Sequence, residues 1–143
     1  MLPPPDRRTS THGLPVFWPH ELKAIRANGY AAVIVVKIGN GIAFAVSADP
    51  NRHVRNLASK AKAKTQVLSV TWAPDAALGR RIKGWVENLL TGRRIGTTGL
   101  FDVPDDYALS AVNIAASKIG FKLSKTDELL ARGDVERTRY KMK

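Results

Sequence analysis

The run from Tyr30 to Ile38, YAAVIVVKI, limits the fold more than any other feature of the chain. It is β-branched and almost uniformly apolar, which predicts a strand buried on both faces rather than a surface helix. Gly39-Asn40-Gly41 follows directly, and these residues accept the positive φ that a tight hairpin turn demands. Ile42 to Ser47, IAFAVS, then returns as a second strand. The hairpin is the nucleus around which the remaining segments must be placed.

Helix start and stop signals punctuate the rest. Pro19 to Arg26 reads as a short helix closed by Asn28-Gly29. Asp49-Pro50 opens a second helix as N-cap and first residue, with Val54, Leu57, Ala58 and Ala61 as its buried stripe. Gln66 to Trp72 alternates and predicts a third strand, stopped by Pro74. Asp75 caps a further helix whose apolar face is Leu78, Ile82, Trp85, Val86 and Leu89, with Gly92 as the residue just past its end. Gly79 and Gly84 inside that helix each cost about 1 kcal/mol relative to alanine, so both are expected where the backbone closely approaches a neighbour. Leu100 to Val103 suggests a short edge strand. Pro104-Asp105-Asp106 opens a helix with the stripe Ala108, Ala111, Val112, Ala115 and Ile119, ended by Gly120. Ser124 to Ala131 is a last helical piece. The expected fold is α+β, a small three-stranded, mainly antiparallel sheet flanked by helices. One domain spans 16–131, between a Pro-rich arm at 1–15 and a basic tail at 132–143.

Charge narrows the function. Twenty-three Lys and Arg stand against twelve Asp and Glu in 143 residues, a net charge of +11. Such an excess in so short a chain points to a polyanionic partner. Between residues 50 and 64 there is no acid to neutralise Arg52, Arg55, Lys60, Lys62 and Lys64. Arg80, Arg81, Lys83, Arg93 and Arg94 extend the basic surface, provided that the two helices share a face. Phosphate contacts through these side chains would bind nucleic acid, with DNA the expected form; an acidic protein partner is the alternative. The oligomeric state stays open.

Other chemistry is thinly represented. The absence of cysteine excludes disulfides, thiolate zinc sites and thiol nucleophiles. His12, His20 and His53 lie too far apart in sequence for helical metal-ligand spacing. Gly92–Gly99 lacks the Lys-Ser/Thr of a P-loop, and Gly39-Asn40-Gly41 joins strand to strand, unlike a dinucleotide fingerprint. No apolar run is long enough to span a bilayer and the N-terminus has no apolar leader segment, so the expected location is the cytoplasm without membrane attachment.

The order hairpin, helix, strand, helix, short strand, helix resembles the GIY-YIG nuclease superfamily, especially its small phage and bacterial domains, over roughly residues 28–120. Gly29-Tyr30 stands where the family opens its first strand. Ala43-Phe44-Ala45 takes the place of a Lys-Ile-Gly motif, followed by Ser47 and Asp49-Pro50. The segment Ile82 to Val103, ending in Gly99-Leu100-Phe101-Asp102-Val103, resembles the region of the metal-binding helix and the final strand.

The resemblance implies where hydrolytic groups would sit, and this chain departs from it there. The family's second first-strand tyrosine falls on Ala32, its second-strand Tyr or Lys on Ala43, and the motif glycine on Ala45. Its phosphate-holding Arg falls on His53, beside Arg52 and Arg55. Its metal-binding Glu falls on Lys83, with Glu87 one helical turn further on. A site with methyls beside the water and an ammonium at the metal position cannot assemble metal-assisted phosphodiester hydrolysis. The expectation is therefore a noncatalytic, degenerate member without a cofactor. Mg²⁺ enters only in the alternative of an active endonuclease, for which Tyr30 and His53 are the catalytic candidates and Glu87 the metal ligand. Trp18, Trp72 and Trp85 are all expected in or at the margin of the core rather than as base-stacking platforms, with Trp18, beside the arm, the one alternative candidate for stacking.

Overall fold

The computed structural model describes residues 17–61 and 63–130. The Pro-rich arm, the basic tail and Lys62 lie outside the described residues. In chain order the elements are α1 (Pro19–Ala27), β1 (Ala31–Ile38), β2 (Gly41–Ser47), α2 (Pro50–Lys60), β3 (Thr65–Ala73), α3 (Ala76–Leu89), α4 (Asp105–Ile119), β4 (Ser124–Lys125) and α5 (Thr126–Leu130), with a 3-10 turn at Thr91–Arg93.

The sheet has four strands in the order β2-β1-β3-β4, each neighbouring pair antiparallel. The expected three-strand sheet therefore gains β4. Its two residues pair only with Thr71 and Trp72, too short a ladder to leave a two-residue periodicity in sequence. β1 pairs with β2 through the hairpin and with β3 on its other side. β2 and β3 thus run parallel with β1 between them, and α2 makes the crossover.

Six consecutive β1 residues, Ala31 to Val36, are buried. Alternation splits them between two cores. Val33 and Val35 join Ile42, Phe44 and Ala73 beneath Ile82, Val86 and Leu90 of the α3 end and Ala108, Ala111, Val112 and Ala115 of α4. Ala32, Ile34 and Val36 join Ala45, Val67 and Trp72 against Phe17, Ile25, Val54 and Leu129, from α1, α2, α5 and the segment preceding α1. The sheet is the middle layer between two helical layers. A bulge opposite Val35/Val36 places Leu68 as the extra residue of β3 and resets which residues face each core.

Local chemistry explains most boundaries. Asp49 accepts from the Arg52 N–H and caps α2, with Pro50 in the first turn, and Asp75 accepts from the Leu78 N–H to cap α3. Asp49 also pairs with Arg26 at 2.8 Å, tying α1 to the start of α2. Gly120 closes α4 at φ 85°. The end of α3 differs from expectation: the chain passes from Leu89 into the 3-10 turn, with Gly92 inside that turn and no left-handed residue closing the helix. The expected Leu100–Val103 strand reduces to Phe101, which bridges Ile42 and Arg94. No helix among the described residues is long and apolar enough to cross a membrane.

The two α3 glycines separate. A Cβ on Gly79 would lie 2.8 Å from Cγ1 of Val46, so the missing side chain lets α3 sit directly on β2. A Cβ on Gly84 would meet nothing within 4 Å.

Candidate functional site

β2 is the outer strand on its side of the sheet. Ile42 exchanges both backbone hydrogen bonds with Phe101, at 2.9 and 2.8 Å, so its N–H and C=O point away from β1. By strand alternation Phe44 and Val46 direct their backbone groups the same way, and no strand among the described residues pairs with them.

Along this open edge lies a cleft of about 320 Å³, lined by Ala43, Phe44, Ala45, Val46, His53, Leu57, Arg80 and Lys83. The edge of β2 is its floor. Ala45 belongs to the core shared with α2, and Phe44 to the core shared with α3. The two basic helices cover opposite faces of the sheet, yet their flanks meet at one edge. His53 comes from α2; Arg80 and Lys83 come from α3.

The helical repeat, about 100° per residue, sorts the remaining cations. On α2, with Val54 turned inward, His53, Leu57 and Lys60 share the cleft flank, whereas Arg52 and Arg55 fall on the opposite flank and outer crest. Arg52 and Arg55 are exposed, and the cleft does not include them. On α3, Gly79, Ile82 and Val86 are buried. Lys83, Glu87 and Arg80 follow on the cleft flank, and Arg81 lies on the outer crest. Arg94 stands over the Phe101 ring at 5.1 Å, at the closed end of the same edge, with Arg93 beside it. Lys64 accepts the Gly39 N–H through its carbonyl, at the hairpin end of the sheet.

His53 reports the field in the cleft. Its pKa is lowered from 6.5, first by burial and then by the charges of Lys83 and Lys60. Burial first and the two ammonium groups second disfavour the imidazolium, and a bound anion would offset the charge part of that cost.

The residues assigned to hydrolysis by the family resemblance distribute unevenly. Ala43, Ala45, His53 and Lys83 all line this cleft. Ala32 is buried in the core beneath α1 and α2, and Tyr30 packs at that core's margin. Glu87 sits one turn beyond Lys83 on α3. Among the described residues no three His, Cys, Asp or Glu side chains come together to hold a metal ion.

The tryptophans also sort themselves. Trp72 is 1% exposed, as expected of a core residue, whereas Trp18, expected there too, is 61% exposed. Trp85 is 42% exposed, a departure from its expected place in the apolar stripe. It lies at the stripe's outer margin, where the helical repeat turns it from the sheet. Sequence reasoning named Lys60 among the basic candidates but could not set it beside His53 and Lys83, because which flank of α2 turns towards α3 is decided by the sheet between them.

Comparison with protein-family models, with curated proteins and with solved structures finds no match for this chain.

Proposed function

We propose that the protein is a noncatalytic nucleic-acid-binding protein on a degenerate GIY-YIG-like scaffold, taking DNA phosphates at the open edge of β2. The observation that carries this reading is the convergence of His53, Arg80 and Lys83 on one cleft together with Ala43 and Ala45. Phosphate oxygens would meet guanidinium, ammonium and imidazole donors, and the outward N–H groups of Phe44 and Val46 would add neutral ones. Charged side chains beside an unpaired strand edge also deter aggregation. That role is served by either sign of charge, and so does not account for an edge where Glu87 is the one acid among the residues placed on its flanks.

The same cleft lacks what hydrolysis needs. Two methyl groups stand at the second-strand positions, and Lys83 would repel a divalent cation from the place where a carboxylate is required.

Binding to duplex DNA is expected to weaken steeply with salt. Neutralising about four phosphates gives a slope of roughly −3 to −4 in log affinity against log salt concentration. Supercoiled plasmid incubated with Mg²⁺ or Mn²⁺ should stay intact. Metal-dependent nicking that disappears in Glu87→Ala would establish the endonuclease instead, and salt-insensitive capture of an acidic protein without DNA retention would replace the polyanion reading.

His53 supplies a pH signature. Its folded-state pKa is depressed, so its neutral form contributes stability above the unfolded value of 6.5 that is lost as pH falls through the lowered folded value. A bound phosphate opposes Lys60 and Lys83 and favours the imidazolium, so DNA affinity should rise as pH falls from above 6.5 to below it. Calorimetry in buffers of different ionisation enthalpy should show proton uptake on binding, and His53→Gln should abolish it. Proton uptake that persists in His53→Gln would remove His53 from the site.

A further inference from the structure

We propose that the exposed crest of α3 is a platform for single-stranded nucleic acid, with the backbone crossing at Gly84 and an unpaired base stacked on Trp85. This assignment rests on the nucleic-acid reading above and names the form of the ligand. The order of residues around α3 supports it. Starting from the cleft, the helical repeat gives Lys83, Glu87, Arg80, Gly84, Arg81 and then Trp85 on the far flank. A strand leaving the cleft would therefore meet two arginines on its way across the helix.

Gly84 is the second observation. It is exposed, has no positive φ, and would meet no neighbour if it carried a Cβ. Neither packing nor backbone conformation asks for glycine there, in contrast to Gly79 against Val46. What remains is the access that a missing side chain gives to an approaching ligand backbone. It forms a low saddle in the crest, with Arg80 and Arg81 one turn earlier to hold a phosphate.

Trp85 is the third. The residue is 42% exposed, and Leu89, one turn further along the same flank, is 48% exposed. A large aromatic side chain is thus open to solvent one helical turn from Arg81. A duplex presents phosphates and groove edges to a helix crest, whereas only an unpaired base can lay its face on an indole. Glu87 is the one acid in α3, so little on the helix repels an anionic strand.

The test compares a fluorescently labelled oligothymidylate with a hairpin duplex at one salt concentration. Trp85→Ala should weaken oligothymidylate binding about 5- to 100-fold while duplex affinity stays within about twofold. Trp85→Phe should recover most of the loss. Gly84→Leu, which favours the helix and so leaves folding intact, should also weaken oligothymidylate binding while the melting temperature holds or rises. Equal losses for both nucleic acids, or no loss, would overturn the platform. So would a dimer that dissociates in Trp85→Ala while oligonucleotide affinity is unaltered, since the patch would then serve a second copy of the chain. A wild-type protein that binds neither nucleic acid would instead overturn the nucleic-acid reading itself.

Discussion

Reversing Arg80 and Lys83 together, as R80E/K83E, is expected to lower DNA affinity about a hundredfold at low salt. Each substitution changes the local charge by two, and a unit charge about 4 Å from a phosphate is worth roughly 1 kcal/mol in water. Four such changes, cut to roughly 3 kcal/mol in total by screening and mobility, give that factor. The salt slope should also become shallower by about two, because two phosphates are no longer neutralised. The fold should survive: Arg80 is exposed, Lys83 is half-buried at the cleft wall, and glutamate is a good helix former. The informative control is R52E/R55E. It removes the same charge from α2 but on the side turned from the cleft, so its effect should be several-fold smaller. Filter binding or anisotropy across a salt series measures both. Equal losses in the two double variants would mean that the protein attracts DNA by overall charge, without a localised site at the β2 edge.

The largest loss of stability is expected from Trp72→Ala, about 3–5 kcal/mol. The side chain is 1% exposed. Its ring meets Phe17 edge-on with centroids 5.9 Å apart, and its Nε1 donates to the Thr126 hydroxyl at 3.0 Å. Its backbone lies between Ala32 of β1 and Ser124 of β4. One residue therefore joins the segment before α1, the central strands and α5, and removing it leaves a cavity that these elements cannot collapse to fill. Against a typical total of about 5–15 kcal/mol, that loss takes much of the margin. Trp72→Phe keeps most of the packing but leaves the Thr126 hydroxyl without its donor, and should cost less. Urea denaturation at constant m-value reads both. A cost below about 1 kcal/mol for Trp72→Ala, comparable with a surface substitution, would show that the layer beneath α1 and α5 contributes little to folding.

Much of the fold was legible in the chain because its signals are local. The hairpin follows from an apolar β-branched run and a Gly-Asn-Gly turn. The starts of α2 and α3 follow from aspartates at the N-cap, and the end of α4 from a glycine that adopts φ 85°. β4 escaped because two residues carry no period. Trp85 was misplaced because an apolar stripe has margins, and a large ring at a margin can lean into the core or out to solvent. Gly79 and Gly84 look alike in sequence and differ only in what stands opposite each.

The site was legible in part. Charge identified the basic residues, but not which of them meet. Linear order fixes the turn chemistry, the inward side of each helix and the total charge, since these depend on a residue and its near neighbours. Folding alone decided that β1 pairs on both sides, leaving β2 as an outer strand with α2 and α3 on opposite layers and His53 and Lys83 lining one cleft. Pairing between strands distant in sequence is chosen by the burial of the whole sheet, and no window of neighbouring residues contains that information.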